Sequence, residues 1–485
     1  MSDSEGHTGR DAASRPVPDE GIYHPHLRTA LILTGTGTAG AYHAGVLRAL
    51  QEAGVKIDLI AAHGIGTGTA LLAAVDGAPR LWEPDGVWHS PQVKKLYRLR
   101  PALRAALLAL GIGCAVIAAP LVAIAAGLLV YVFGFVLQLV SPAAGRSLVD
   151  RYLALVDRAF AADMLPTFLP RLALFTVALV VLIALTVAVR EILRRGDRRR
   201  DRGPWWGRVL GGPWSARQVV DLFRNALWQF LRGAAHLKQP SVRELSKRYA
   251  EVLTDNLGQP GFRELILTAH DLDARHDLVF ALLAEPFRRE FLRAGVRGIR
   301  RGSGDVVDLA GAGREHVLDA LAGSLRLPVL TDDHSIMFAV ESYWRGETHG
   351  LSDRGWCLAR LMDEVSAAGV QQALVVSAAA ERGSPHGLVS RSLTFRARVA
   401  EYLTASHVAS LEDALRSRAG LFDSVFQIAP THNPLGPLEF AGCRDERSDR
   451  TFGVTELIDR GYEDAYRQFI DPVIGASGER LDAAT

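Results

Sequence analysis

Two long stretches of the chain contain no charged residue. The first covers residues 105–140, and the second covers residues 172–189 and ends at Arg190 and Glu191. A helix needs about 20 apolar residues to cross the hydrocarbon core of a bilayer. Surface helices of soluble proteins carry charged or polar residues on one face, whereas these stretches carry no charge on any face. The pattern therefore predicts two transmembrane helices, at about 105–140 and 171–192.

Basic residues flank both stretches. They cluster at 94–104 before the first and at 190–202 after the second, whereas 141–171 mixes basic and acidic residues. Basic flanks lie on the cytoplasmic side of a membrane. We therefore expect a multi-pass protein with a two-helix hairpin and a cytoplasmic soluble domain, in the inner membrane if the chain is bacterial. Pro120 leaves open a bend or a re-entrant pair, which would change this topology.

Short apolar runs alternate with glycine turns near the start of the chain. Residues 28–34 and 56–62 have the composition of buried parallel strands. Each runs into a glycine-rich turn, at 35–40 and at 63–68, and a helical pattern follows each turn. Strands, turns and helices in this order predict an α/β domain with a parallel central sheet.

The apolar stretches interrupt this domain and divide the chain into five parts. The predicted parts are a disordered tail (1–26), the first part of the α/β domain (27–80), an insertion with the transmembrane helices and a cytoplasmic helical section (81–254), the second part of the α/β domain (255–380) and a C-terminal helical extension (381–485).

Composition and charge exclude several classes of function. The formal net charge of +2 over 485 residues predicts no nucleic-acid partner. The basic clusters beside the apolar stretches instead fit anionic membrane lipids. The three cysteines are too far apart for a zinc or redox motif. The run Asp332-Asp333-His334 has metal-ligand chemistry but no second cluster at a fixed spacing, so we expect a solvated loop, no metal and no cofactor.

The two glycine turns carry the candidate chemistry. Gly35, Gly37 and Gly40 fit a dinucleotide fingerprint, but a nucleotide fold also needs an acidic residue at the end of the second strand. Asp58 lies inside that strand instead, so this signal is weak. In the second turn, the frame Gly64–Gly68 between a strand and a helix has the shape of a nucleophile elbow.

Together the two turns resemble the patatin-like phospholipases. Residues 35–47 match the oxyanion loop of that family in register, and Gly64–Gly68 matches its elbow except at the apex. Weaker matches occur at 265–280, 317–328 and 346–350, so the resemblance covers about 27–80 and 255–380. It implies a three-layer α/β sandwich with a parallel central sheet, a Ser–Asp dyad, and loop N–H groups that stabilise an oxyanion.

The chain departs from the family at the residues that perform catalysis. The resemblance places Gly66 at the nucleophile and His349 at the aspartate, and neither residue type completes the dyad. Thr67 and Asp353 remain alternative candidates for these two roles. The backbone of the turns would still bind an anionic or acyl ligand, and we assign that role to Gly35, Gly37, Thr38, Ala39, Gly40, Gly64 and Gly68.

These departures favour a membrane-anchored pseudoenzyme that binds a lipid or fatty-acyl ligand without hydrolysing it. Membrane lipids are its predicted partners. Two alternatives stay open: an active lipid acyl hydrolase that uses an unrecognised nucleophile, and a membrane interaction scaffold with a collapsed pocket.

Overall fold

The protein is described by a computed structural model. It describes residues 22–159, 161, 165–193, 212–293, 302, 304–377, 395–431, 435, 438, 440, 442–444 and 451–475. Most of the predicted disordered tail and of the basic cluster at 190–202 lies outside these residues. The chain forms two compact units, one of Met1–Arg98 with Ala216–Thr485 and one of Leu99–Ser215.

The strands are, in chain order, β1 (Thr29–Leu33), β2 (Leu59–Ala62), β3 (Arg98–Leu99), β4 (Trp214–Ser215), β5 (Glu264–Asp271), β6 (His276–Leu282), β7 (Val306–Asp308), β8 (His334–Met337), β9 (Thr348–Ser352), β10 (Gln372–Val376), β11 (Ser424–Ile428), β12 (Cys443–Arg444) and β13 (Thr451–Phe452).

The α-helices are α1 (Ala39–Glu52), α2 (Gly66–Ala74), α3 (Pro79–Trp82), α4 (Pro101–Val140), α5 (Pro142–Ala159), α6 (Leu165–Leu193), α7 (Arg217–Arg232), α8 (Val242–Asn256), α9 (Phe287–Leu292), α10 (Val317–Ser324), α11 (Leu358–Ala367), α12 (Phe395–Arg418) and α13 (Val454–Ala465). A π-helical segment, Tyr466–Gly475, follows α13.

The first unit is a mixed α/β structure with a largely parallel central sheet flanked by helices. The strand order is β11-β10-β1-β2-β5-β6-β7, and the strands from β11 to β5 run parallel. Every residue of β1 and β10 is buried, because helices cover both faces of a sheet of this kind. The predicted α/β class with a parallel sheet is confirmed.

The sheet topology brings separate segments to one edge. Parallel strands β1, β2 and β5 end at the same side, where ligands bind in open α/β sheets. Strand β9 runs antiparallel to the end of β5, with Ser352 opposite His270. The residue that follows β9, Asp353, therefore reaches the edge where the glycine turns begin.

Two segments lie in the first unit although the sequence analysis placed them elsewhere. Helices α7 and α8 fall within the predicted insertion, yet Tyr249 of α8 donates a hydrogen bond to the Leu71 carbonyl of α2. Strand β11 falls within the predicted helical extension, yet it pairs with β10. Both contacts join residues far apart in sequence, which local patterning does not encode.

The second unit consists of α4, α5 and α6. Helix α4 continues through Pro120, and its 40 residues extend about 60 Å at about 1.5 Å per residue. Glycines allow close packing along it: Gly113 faces Thr176 of α6, and Gly127 faces Tyr152 of α5.

One helical segment among the described residues is long and apolar enough to cross a membrane. It is Leu121–Val140, of which 11% is buried. The apolar segments Pro101–Ala115 and Leu174–Thr186 are shorter. The structure thus does not support the predicted two-span topology, because the second predicted helix lacks a sufficiently long apolar segment in the described part of the chain.

Candidate active site

The turn between β2 and α2 is sharp because of Gly64. This residue has a φ of 57°, in the left-handed region that favours glycine. Ile65 already has helical dihedrals, and Gly66 is the first residue of α2. The apex therefore lies at Gly64, two residues before the position that the sequence analysis assigned. At Gly66 a Cβ would lie 2.8 Å from the Cβ and carbonyl oxygen of Leu33, so this position has no room for a side chain.

A buried carboxylate faces the apex. A Cβ on Gly64 would lie 3.2 Å from Oδ2 of Asp353. Asp353 is 3% exposed, and its backbone N–H donates to the Arg326 carbonyl. Its Oδ1 lies 3.3 Å from Nδ1 of His63, whereas Oδ2 has no hydrogen-bond partner among the described residues. An unsatisfied buried carboxylate oxygen is costly and therefore marks a candidate functional site.

His349, the sequence-based candidate for the dyad aspartate, lies in a different environment. Its Nδ1 is 2.6 Å from Oδ2 of Asp271, and its Nε2 is 3.3 Å from Glu347. Its ring contacts Trp344 and Phe338 edge-on. The structure thus brings Asp353, and not His349, to the glycine turn.

The sequence analysis missed two further groups at this site, His63 and Cys357. Burial lowers the pKa of the His63 imidazole, but the nearby Cys357 thiol and the Asp353 carboxyl raise it, and the net pKa is well above the usual value. The His63 imidazole is therefore more basic than an isolated one.

Cys357 is the N-cap residue of α11 and is 2% exposed. Its Sγ lies 3.6 Å from the Thr268 hydroxyl. No sequence motif links this cysteine to His63, because only the packing of α11 on the sheet brings them together.

The predicted ligand-binding glycines pack against other groups. The Gly35 carbonyl accepts a hydrogen bond of 3.0 Å from the Ile65 N–H, and a Cβ on Gly64 would overlap that carbonyl oxygen. A Cβ on Gly40 would lie 2.9 Å from Ile65, and one on Gly68 would lie 2.6 Å from the Phe223 ring. These glycines allow close approach of neighbouring elements.

The remaining candidates of the loops are buried. Thr38 occupies the N-cap position of α1 and Ala39 is the first residue of that helix, and neither is exposed to solvent. Gly37 adopts a left-handed φ of 58° between β1 and α1. Thr67 is fully buried in α2, and its hydroxyl has no hydrogen-bond partner in the described part of the chain.

In the run Asp332-Asp333-His334, the histidine pairs with a carboxylate outside the run. His334 lies 2.8 Å from Asp319, whose other oxygen lies 2.8 Å from His316. Burial raises the pKa of Asp319, but its hydrogen bonds with His316 and His334 lower it, to about 2. Across the described ranges, no three His, Cys, Asp or Glu side chains are placed to hold a metal ion.

Comparison with known proteins gives a weak structural similarity and no match to a family. No family model and no curated protein matches the chain. The crystal structure of VipD from Legionella pneumophila is similar at a TM-score of 0.32 and 11% identity, over 92% of this chain and 67% of VipD. The resemblance to patatin-like phospholipases therefore depends on the glycine motifs.

Proposed function

We propose that this chain is a membrane-associated protein whose patatin-like α/β domain binds a lipid or acyl ligand without hydrolysing it. The observation that carries the proposal is the buried Asp353 carboxylate, which has one oxygen without a partner and faces a glycine. The domain thus holds a base at the position where a serine hydroxyl would need one, but it has no hydroxyl there.

The chemistry of ester hydrolysis supports the proposed absence of hydrolysis. A serine hydrolase needs a hydroxyl that a base activates, and N–H donors for the oxyanion. Gly64 offers no hydroxyl, and the Gly35 carbonyl oxygen lies beside it. A carbonyl oxygen there repels an oxyanion. The turn therefore lacks a serine hydroxyl, and the Gly35 carbonyl opposes the binding of an oxyanion beside it.

Membrane association is supported by the second unit. Many large apolar side chains of α4 are exposed, including Leu121, Ile124 and Leu128 at about 70% each. Burying such a surface in lipid is favourable, at about 25 cal/mol per Å². From the uncharged stretches 105–140 and 172–189 and their basic flanks, and not from the structure, we propose a two-helix hairpin with the α/β domain in the cytoplasm.

The function is tested on the full chain purified in a nonionic detergent. Lipids extracted from it are identified by mass spectrometry, and hydrolysis of 4-nitrophenyl butyrate and of a phospholipid is measured. We expect a stoichiometric acyl lipid and no turnover. Turnover together with labelling by a serine-directed phosphonate would overturn the proposal, and the labelled peptide would identify the nucleophile.

A second candidate function, a thiol-dependent acyl hydrolase, is favoured by Cys357 beside the His63–Asp353 pair. In that reaction the Cys357 thiolate attacks the ester carbonyl, and the alcohol leaves with a proton from the His63 imidazolium. Water then hydrolyses the thioester and restores thiolate and imidazolium.

Cys443 provides the matched control for this candidate, because it is also 2% exposed. If the thiol is catalytic, Cys357→Ser abolishes ester turnover and Cys443→Ser leaves it unchanged. Equal effects of the two substitutions, or no turnover in the parent protein, exclude the thiol mechanism.

A further inference from the structure

The second unit is a helical hairpin with one continuous arm and one broken arm. Helix α4 forms the first arm, and α5 and α6 together form the second. Tyr152 of α5 lies against Gly127 of α4, and Thr176 of α6 lies against Gly113. Residue numbers rise along the second arm as they fall along α4, so the two arms run antiparallel.

The two halves of this hairpin differ in charge. Helix α6 lies against the first half of α4 and contributes residues 172–189, which carry no charge. Helix α5 lies against the second half. We call residues 101–120 of α4 with α6 the proximal half, and residues 121–140 of α4 with α5 the distal half. The charged residues of α5 are Arg146, Asp150, Arg151, Asp157 and Arg158.

Helix α5 has one face on α4 and a charged outer side. Gly145, Val149 and Tyr152 lie against α4 at helical spacing, and the Tyr152 hydroxyl donates to the Ala123 carbonyl. All five charged residues of α5 lie outside this contact face and are exposed. Charged side chains are costly at bilayer depth. The distal half therefore belongs in water rather than in the hydrocarbon core.

The length of the apolar stretch leads to the same division. As a helix, the uncharged run 105–140 extends about 54 Å, whereas the hydrocarbon core is about 30 Å thick. The segment Leu121–Val140 alone is long and apolar enough to cross a membrane, but the charged α5 packs along it. The uncharged run 172–189 of α6 extends about 27 Å, which fits the core. The proximal half is therefore the part that suits the core.

The distal half of α4 exposes an apolar face. Together with the exposed Ala125, this face follows alternating spacings of four and three residues, the pattern of a coiled-coil seam. Its large side chains, each between 57% and 75% exposed, are Leu121, Leu128, Val132, Phe135 and Leu139.

The area of this face suits a dimer. Ile124, Leu129 and Val136 flank the seam and are also more than half exposed. At on the order of 100 Å² for each large side chain, the face reaches about 800 Å², which is what each partner buries in a standard protein–protein interface. The largest apolar patch of a typical monomer is about 300–600 Å². Because lipid does not cover a helix outside the core, a protein surface of the same kind has to.

We propose that the distal halves of two copies of this chain pair through this face of α4, outside the hydrocarbon core and on the non-cytoplasmic side of the membrane. The two α4 helices then form the apolar centre, and the two α5 helices present their charges to water. A symmetric pair uses the same face on both copies. The inference rests on the proposed membrane association with a cytoplasmic α/β domain, and it is independent of the ligand.

The position of α5 is tested in right-side-out membrane vesicles that contain the full chain, with a membrane-impermeant maleimide. Every variant carries Cys114→Ser, because Cys114 is exposed whereas Cys357 and Cys443 are buried. We expect Ala154→Cys, at an exposed position of α5, to be labelled, and Leu110→Cys in the proximal half to be protected. Protection of Ala154→Cys until detergent dissolves the membrane, or equal labelling of both variants, overturns the proposal.

The pairing of two copies is tested in the same vesicles with a short, membrane-permeant bismaleimide. We expect Leu128→Cys to give a covalent dimer on a denaturing gel and Ala154→Cys, on the charged outer side, to give none. If Ala154→Cys is labelled but Leu128→Cys gives no dimer, a lipid surface covers the apolar face and the second copy is excluded. Equal dimer yields from the two cysteines also overturn the pairing.

A charge placed on the seam sharpens this result. Phe135→Glu in the Leu128→Cys protein should lower the dimer yield about 10-fold or more, because the interface would bury an unpaired carboxylate. The control is Ala154→Glu, which adds the same charge to the outer side of α5 and should leave the yield unchanged. Equal losses from the two substitutions contradict the seam.

The failure of this inference is distinguishable from that of the proposed function. If the chain sediments with the membranes and holds an acyl lipid but Ala154→Cys is protected, the inference alone fails. If the chain does not sediment with the membranes, the proposed function fails and the inference fails with it.

Discussion

Among its described residues, the α/β unit contains two fully buried histidine–aspartate pairs, and they differ in how many of their polar atoms have hydrogen-bond partners. In the Asp271–His349 pair, Oδ1 of Asp271 accepts hydrogen bonds from the N–H groups of Asp273 and Ala274, and Oδ2 lies 2.6 Å from the ring. In the Asp353–His63 pair the separation is 3.3 Å, and one atom of each side chain has no partner among the described residues.

This difference separates a structural pair from a candidate functional one. The Asp271–His349 pair is saturated, meaning that each of its polar side-chain atoms has a hydrogen-bond partner. It fixes the β8–β9 hairpin against β5 and has no polar atom left to bind a ligand. An unsaturated pair costs folding free energy, and such pairs occur where binding or chemistry uses the free atoms. His349, which the sequence analysis placed at the aspartate of the dyad, therefore belongs to the structural pair.

The largest effect is expected at the saturated pair. Asp271→Asn removes the charge that His349 and two N–H groups bind, and breaking a buried pair costs about 3–5 kcal/mol. We expect the free energy of unfolding, measured by denaturant titration, to fall by that amount. A loss no greater than that of Asp353→Asn would contradict the comparison.

The double variant Gly66→Ser, His349→Asp tests where the apex lies. The serine crowds Leu33, which costs about 1–3 kcal/mol. We expect no ester turnover, because neither introduced group faces Asp353. A gain of turnover in a 4-nitrophenyl butyrate assay would show that the apex is at Gly66 and that the assigned geometry is wrong.

The raised pKa of His63 predicts a pH dependence of stability. A histidine whose folded pKa lies above its unfolded value of about 6.5 stabilises the fold fully below that value, and this stability is lost as pH rises through the folded pKa. Above pH 6.5 the free energy of unfolding should therefore fall, by at most about 1.4 kcal/mol per pH unit.

The variant His63→Gln should flatten this dependence. His43 and His407 have pKa values lowered by burial to about 4, so they destabilise the fold only as pH falls below 6.5. The window above 6.5 isolates His63 from these two histidines. An unchanged slope in His63→Gln would show that the imidazole is neutral in the folded protein.

The smallest effect is expected for Asp353→Asn. The substitution keeps the backbone hydrogen bond to Arg326 and relieves the desolvation of an unsatisfied carboxylate, and His63 can release its proton. We expect a change of about 1 kcal/mol or less in denaturant titration. A loss as large as that of Asp271→Asn would show that this pair is structural.

Local patterns predicted much of the sheet. Apolar runs at 28–34 and 56–62 correspond to β1 (Thr29–Leu33) and β2 (Leu59–Ala62), and glycine turns follow both strands. Strands that are buried on both faces are continuously apolar. An apolar run of this kind therefore predicts a strand in the interior of a parallel sheet. The same reasoning missed β11, a short strand after a long helix, because its partner β10 is distant in sequence.

The sequence by itself determined the α/β class, the two glycine turns, and the absence of a serine in the frame Gly64–Gly68. These properties follow from residue type and periodicity, which act over a few neighbouring positions. Tertiary structure alone decided that Gly64 is the apex, since that depends on which glycine adopts the left-handed conformation. It also decided that Asp353 is the facing carboxylate, because the His63–Asp353 contact joins residues 290 positions apart through the register of β9 on β5.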